Sequence, residues 1–188
     1  MMVQQNSPLR FAIVFILLFL ALYYLNIVFF SITTPGSRHY VPFFADHLNY
    51  IKVLRDILIA CSATVLRWFG FAVVANDYSL LVAGRGMITL VYSCLGLGVM
   101  SFFTAFVIAY PKAVKAKIIF LVSGLPVIQL LNITRFVVLA LFWNNRSQQI
   151  IDHHTIFNAL IYIIIAISLY FWVKAGIGTK PQHVKNRA

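Results

Sequence analysis

The feature that most constrains this chain is an uncharged apolar run of 20 residues, FAIVFILLFLALYYLNIVFF, from Phe11 to Phe30. About 20 apolar residues in a helix are enough to cross the hydrocarbon core of a bilayer. Over the whole chain, 62% of residues are hydrophobic and only 10% are charged, which is unlike a soluble domain. The sequence therefore predicts an all-α polytopic membrane protein, with residues 1–188 forming one integral membrane domain. Because no small-residue cleavage site ends this run, we expect a retained span and not a signal peptide.

Four further apolar segments are separated by polar or basic loops. The first of these, Leu48–Gly70, follows the polar loop Ser31–His47 and carries four charges towards its two ends. The other three are predicted helices at about Leu95–Tyr110, Ile118–Trp143 and His154–Val173. If all five apolar segments cross the bilayer, the protein has about five transmembrane helices.

Residues 71–93 change from long apolar runs to short β-branched runs. The pair ND at 76–77 and the triplet GRG at 84–86 are turn signals that separate these runs. We therefore predict two or three short strands, which form a β-hairpin-like segment before the helix that follows Cys94. Because an open sheet edge cannot face lipid, this segment lies outside the hydrocarbon core or is buried in protein.

The net charge of +11 comes mostly from bases between and after the apolar segments. It therefore indicates membrane topology and not nucleic-acid binding. The loop PKAVKAK at 111–117 and the C-terminal tail are strongly basic, so we place both in the cytoplasm. The strand segment and the start of the last helix then fall at the outer face of the cytoplasmic membrane.

Two topologies remain for the front of the chain. If Leu48–Gly70 spans the membrane, the N-terminus is outside, and ten Lys and Arg residues lie inside against four outside. If that segment lies flat on the outer surface, the N-terminus is inside and the split is eight to six. The first arrangement follows the positive-inside rule more closely, so the sequence favours five spans with the N-terminus outside.

Three polar residues from different predicted helices reach one level. We count about 1.5 Å of helical rise per residue from the lysines at the cytoplasmic edge of the membrane. Cys94 and Arg135 then each lie about 27 Å from that edge, and His154 lies about 30 Å from it. The hydrocarbon core is roughly 30 Å thick, so all three are expected at its outer boundary. A thiol, a guanidinium and an imidazole are groups from which a nucleophilic site is built.

Cys94 has a catalytic and a structural interpretation. Most free cysteines are small buried hydrophobes, and we interpret Cys61, in mid-helix, as such a packing residue. Beside Cys94, the glycines at 96 and 98 allow close backbone approach. A helix that begins at Leu95 would also favour a thiolate at its N-terminus.

Arg135 lies between apolar residues, where an arginine faces a polar cavity or forms a structural ion pair. Asn132, one turn earlier on the same face, is expected to orient the guanidinium. Arg67 is either a second outer-face cation that supports the site or an anchor at the membrane interface.

His153 and His154 open the last predicted helix, with Asp152 in position to cap it. The two histidines are a solvated interfacial pair, a functional group of the site, or metal ligands. Their spacing matches no zinc motif, so we predict no metal. Asn158 lies one turn after His154 and on the same face, which makes it a supporting residue of the site.

The motifs SCLG at 93–96 and NITR at 132–135, followed by a histidine at the start of the last helix, resemble the exosortase/archaeosortase family of membrane transpeptidases. The resemblance covers about Gly70–Val173, which would be the catalytic core. It implies that Cys94 is the nucleophile and that Arg135 and His154 are the arginine and the histidine of the family.

The chain departs from the family's usual pattern at three positions. Ser93 and Leu95 stand where Ala and Ser are common, and Asn158 stands where glycine is common. The resemblance nevertheless implies a cofactor-free cysteine transpeptidase. Its partners would be membrane-anchored proteins with a C-terminal sorting signal made of a short motif, a transmembrane helix and a basic end.

Two other classes of function are open. A membrane thiol-disulfide oxidoreductase would use Cys61 together with Cys94, although the chain has no CxxC motif. A non-catalytic membrane assembly factor or small transporter would tolerate replacement of Cys94. That class leaves three reactive side chains at one level without a role.

Overall fold

The computed structural model describes residues 8–142 and 153–175, with side chains in the second range described from residue 159 onward. The described residues fall into two units, one within Met1–Ile150 and one within Ile151–Ala188. Each unit is considered by itself. That the whole of 1–188 forms one domain stays a prediction.

Six helices and three strands make up the described residues. The helices are α1 Pro8–Thr33, α2 Pro42–His47, α3 Tyr50–Trp68, α4 Leu97–Ala109, α5 Val114–Phe142 and α6 His153–Lys174. The strands are β1 Val73–Ala75, β2 Ser79–Val82 and β3 Gly86–Thr89, and a 3₁₀ turn follows at Tyr92–Cys94. All five predicted helices are present. The short helix α2 lies inside the predicted polar loop, where Pro42 starts a helix too short to show a periodic pattern.

Two of these helices, α1 and α5, are long and apolar enough to cross a membrane by length and composition. Two shorter apolar helical stretches, Leu97–Ala109 and Ala159–Lys174, accompany them among the described residues. The mainly helical, apolar architecture expected from the sequence is therefore present. The number of five spans is not confirmed.

The predicted strands form one antiparallel sheet in the order β1-β2-β3. Val73 pairs with Val82, and Leu80 pairs with Ile88. In β2 the side chains of Leu80 and Val82 are buried while Leu81 between them is exposed, as the two-residue period of a strand requires. Both predicted turns lie between these strands, so the turn signals located the sheet correctly.

Helices α1 and α4 pack side by side in opposite directions. The ring of Phe11 contacts that of Tyr110 at 5.9 Å between centroids, and Phe15 contacts Phe102 at 5.3 Å. At the other end, Phe30 lies 4.5 Å from Tyr92. The end of α1 therefore lies beside the Tyr92–Cys94 turn, and its start lies beside the end of α4.

This packing contradicts the favoured topology. With the N-terminus outside, the start of α1 and Cys94 would lie on the same side of the membrane. The contacts of Phe11 with Tyr110 and of Phe30 with Tyr92 place them at opposite ends. The predicted position of the N-terminus on the same side as Cys94 is therefore wrong, because a count of Lys and Arg carries no information about which helices pack together.

Helix α3 stays near the Cys94 end of the first unit. At its start, the Tyr50 hydroxyl donates to Asn26 Oδ1 at 2.5 Å, and Asn26 Nδ2 donates to Ser101 Oγ of α4 at 3.0 Å. At its end, Arg67 Nη2 donates to Val73 O of the sheet at 3.2 Å. Both ends of α3 thus contact elements close to the Tyr92–Cys94 turn, which agrees with the alternative in which this segment does not span.

The hydrophobic core of the first unit lies at this same end. It is shared by α3, the sheet, the turn after β3 and the last part of α5, through Leu58, Leu66, Leu80, Leu95 and Phe136 among others. Cys94 is itself a member of this core. The thiol therefore lies within a cluster of buried apolar side chains.

Candidate active site

Cys94 is the last residue of the 3₁₀ turn Tyr92–Cys94 and is only 5% exposed. Its backbone N–H donates to Val91 O at 2.9 Å. The following helix begins at Leu97, two residues later than expected, after a left-handed Gly96. Cys94 is therefore not at the first helical position, and the expected support of a thiolate by a helix that begins at Leu95 is not present.

Gly96 makes the close approach that the sequence suggested. Its φ is +74°, in the left-handed region that favours glycine. A Cβ atom at this position would collide with Nδ2 of Asn132. Gly98 is less demanding, because a Cβ there would meet the Tyr23 ring at an ordinary 3.6 Å. The turn after Cys94 thus depends on Gly96 for both its backbone angle and its contact with α5.

Two amide side chains of α5 hold this turn through one backbone carbonyl. Gln129 Nε2 and Asn132 Nδ2 both donate to Leu95 O, over long distances of 3.4 and 3.5 Å. Asn132 also donates to Gln129 Oε1 at 3.0 Å, so the two amides support each other. These bonds direct the amide nitrogen of Asn132 to the backbone beside Cys94, and its expected role in orienting the guanidinium of Arg135 stays a prediction.

Gln129 was missed by the sequence reasoning. The signal was present, since Gln129 and Asn132 are three residues apart in an otherwise apolar part of α5 and so lie on one face. Gln129 Nε2 also lies 2.7 Å from Met100 Sδ of α4.

The side chain of Leu95, which stands where the family commonly has serine, is 1% exposed and packs into the core. Its contribution to the site is therefore its carbonyl.

Arg135 and Cys94 are brought together as their predicted heights required. Arg135 Nη2 donates to Cys94 Sγ at 3.8 Å, and Arg135 is 4% exposed. The guanidinium comes from α5 and the thiol from the turn before α4, so the contact joins two elements that are distant in sequence.

Tyr92, the first residue of the turn that ends at Cys94, packs against α1. Its ring contacts Phe30, and burial raises the pKa of its phenol, with smaller contributions from Tyr50 and Tyr23. A raised pKa keeps this hydroxyl protonated at neutral pH. Tyr92 therefore acts as a neutral packing residue beside the site.

Two arginines bind the sheet to its surroundings. Arg67, predicted as a second outer cation or an anchor, is exposed and donates to Val73 O at the start of β1. Arg85, which the sequence marked only as part of a turn, donates through Nη1 to Leu141 O at 2.6 Å. Arg85 thus ties the β2–β3 turn to the end of α5, the helix that carries Arg135.

The two cysteines occupy different environments. Both are free, Cys94 being buried and Cys61 exposed. The interpretation of Cys61 as a packing residue is wrong, because the core-facing side of α3 is formed by its neighbours Ser62 and Ala63. The oxidoreductase alternative needs these two thiols as a pair, and no such pair is present among the described residues.

The backbone of α6 begins at His153, one residue before the expected start. The side chains of His153, His154 and Asn158 lie outside the described residues, and α6 belongs to the second unit. The expectation that His154 reaches the level of Cys94 stays a prediction. So do the supporting roles of His153 and Asn158.

Comparison with known proteins gives one match. The model of a family described as transmembrane exosortase (Exosortase_EpsH) matches residues 2–172. No match was found to a curated protein or to a solved structure. The matched range contains the turn with Cys94, the amide pair of α5, Arg135 and the first 20 residues of α6.

Proposed function

Since this chain belongs to the transmembrane exosortase family, we propose that it is a membrane cysteine transpeptidase. Its substrates are membrane-anchored proteins with a C-terminal sorting signal, which it cleaves and transfers at the outer face of the cytoplasmic membrane. The observation that carries this proposal is the 3.8 Å contact between Arg135 Nη2 and Cys94 Sγ in a buried position.

The first half-reaction forms a thioester. The Cys94 thiolate attacks the scissile carbonyl carbon, and the carbonyl oxygen becomes an oxyanion. Arg135 stabilises the negative charge, first on sulfur and then on this oxygen. The intermediate collapses with cleavage of the C–N bond, and the leaving amine takes a proton from His154. The C-terminal transmembrane helix of the substrate is released with this amine.

The second half-reaction resolves the thioester. An amine acceptor or water attacks the carbonyl carbon and gives up a proton to His154. The C–S bond breaks and Cys94 leaves as a thiolate, which restores the starting state. These steps require no metal or organic cofactor, since the thiol, the guanidinium and the imidazole supply the nucleophile, the charge stabilisation and the proton transfer.

The topology that fits this reaction has α1, α4, α5 and α6 crossing the membrane, with α3 lying near the outer boundary. The antiparallel contact of α1 with α4 supports it, as do the bases of PKAVKAK, which favour a cytoplasmic position for the end of α4. Cys94 then faces the outer boundary, where a substrate's transmembrane helix ends.

The experiment that tests the function traps the thioester. A reporter with a C-terminal transmembrane helix and a basic end is co-expressed with the enzyme, and membranes are analysed for a covalent adduct cleaved by neutral hydroxylamine. The wild type is expected to form the adduct and shorten the reporter, and Cys94→Ala neither. Cys61→Ala is the matched control and keeps both. Normal processing by inserted Cys94→Ala protein would reject the proposal.

A further inference from the structure

A polar cavity of about 210 Å³ lies in the first unit between the end of α1, helix α2, the start of α3 and the β1–β2 turn. Its lining contains none of the residues assigned above to the nucleophilic site. Phe30 forms part of its wall and also contacts Tyr92, so the cavity is next to the Cys94 turn. Four charged side chains line it: Asp46, Lys52, Arg55 and Asp77.

The positive side of the cavity is built on the first turns of α3. Lys52 and Arg55 are both there, and Asn49 caps the helix by accepting from the Lys52 N–H at 2.9 Å. The start of a helix adds partial positive charge. The Arg55 guanidinium lies 4.0 Å over the ring of Tyr78, which fixes its position. Arg55 Nε is buried and has no hydrogen-bond partner within the described residues.

The negative side comes from two other elements. Asp46 lies in α2, and Asp77 lies in the turn between β1 and β2. Within residues 8–142, no ion pair joins either carboxylate to Lys52 or Arg55. Asp46, Lys52 and Asp77 are exposed and Arg55 is half-buried, so a ligand can reach these charges from solvent. Here they face one cavity from different elements and stay apart, an arrangement complementary to a ligand that carries both signs.

We propose that this cavity binds a compact zwitterion, in which a phosphate or carboxylate and a primary ammonium are a few bonds apart. Arg55 and Lys52 bind the anion, and Asp46 and Asp77 accept hydrogen bonds from the ammonium. The cavity is smaller than the roughly 300 Å³ at which pockets for drug-sized ligands begin, so it holds a headgroup-sized molecule. An ethanolamine phospholipid headgroup and a soluble amino phosphate share this chemistry. The inference does not depend on the proposed transpeptidation.

Calorimetric titration of the full-length protein in detergent tests the proposal, with phosphoethanolamine and phosphocholine as probes. The quaternary ammonium of phosphocholine cannot donate to a carboxylate. The wild type is therefore expected to bind phosphoethanolamine about tenfold more tightly. Arg55→Gln should lower the affinity for both probes about tenfold. The double variant Asp46→Asn with Asp77→Asn should lower only the affinity for phosphoethanolamine. It should therefore bind the two probes equally well.

Asp56→Asn is the matched control, because Asp56 is on α3 but outside the lining and exposed. It is expected to bind both probes like the wild type. Thermal unfolding checks each variant, and Lys52→Gln replaces Arg55→Gln if the latter does not fold. Equal affinity of the wild type for the two probes would overturn the proposal. So would unchanged binding by the variants, or a loss in Asp56→Asn as large as in Arg55→Gln.

The source of the ligand is distinguished by a second arm. The protein is reconstituted in nanodiscs of ethanolamine or choline phospholipid, and retained lipid is measured by native mass spectrometry. Selective retention of ethanolamine lipid, lost in the Asp46 and Asp77 double variant, identifies a lipid headgroup. Binding of soluble phosphoethanolamine without such retention identifies a soluble ligand. Failure of both arms overturns the proposal and leaves the thioester experiment unaffected.

Discussion

Arg135 donates from Nη2 to Sγ of Cys94 at 3.8 Å, in a contact that joins α5 to the turn before α4. Both residues are buried, so the cation and the thiol are screened little by solvent. Such a buried guanidinium is expected to stabilise a nearby oxyanion more than the same group would at the surface.

Replacement of Arg135 by lysine or glutamine tests this relationship. Arg135→Lys keeps the charge but loses the planar donor geometry, and Arg135→Gln loses the charge. We expect reporter processing to fall about 100-fold or more in Arg135→Gln and less in Arg135→Lys. Rates in membranes with matched amounts of inserted protein measure this. Equal, near-normal rates in both variants would show that the guanidinium has no part in the reaction.

Gly96→Ala is expected to destabilise the turn after Cys94. The substitution places a Cβ against Asn132 at a φ of +74°, and the left-handed conformation alone costs about 1–2 kcal/mol for an L residue. Thermal unfolding in detergent should therefore show a lower midpoint and lower processing. Gly98→Ala is the matched control, since its Cβ meets Tyr23 at 3.6 Å. A larger loss in Gly98→Ala would contradict the structure.

Gln129→Leu is expected to lower processing about tenfold without preventing insertion, because it removes one of the two amides that hold Leu95 O. The positioning role predicts that the effect falls on the rate at saturating substrate more than on the half-saturating concentration. Ser123→Ala, on an exposed face of the same helix, serves as the control. An unchanged rate in Gln129→Leu would remove this residue from the site.

The antiparallel packing of α1 and α4 is tested by crosslinking. In a background without Cys61 and Cys94, the pair Phe11→Cys and Tyr110→Cys should crosslink with a short bifunctional reagent, because their rings are 5.9 Å apart. The pair Phe11→Cys and Tyr92→Cys should not, because Tyr92 is at the opposite end of α4 beside Phe30. The reverse result would restore the topology with the N-terminus outside.

The strands and the meeting of Cys94 with Arg135 were predictable for local reasons. Glycine-rich and Asn-Asp turns mark hairpins by their backbone requirements, and a helix rises by a constant amount per residue, so height can be counted. Neither inference needs to know which elements are neighbours. The roles of His154, His153 and Asn158 stay predictions, because their side chains lie outside the described residues.

The placement of α3, the direction of α1 and the role of Gln129 were not predictable in this way. The Lys and Arg counts favoured one topology by a small margin, while the contact of Phe30 with Tyr92 requires the other. By itself, then, the sequence determined the membrane character, the elements and the common level of Cys94 and Arg135, because these depend on hydrophobicity, local turns and helical rise. Only the tertiary structure decided which helices face each other and which carbonyl the amides of α5 hold, because such contacts join residues far apart in the chain and have no local signature.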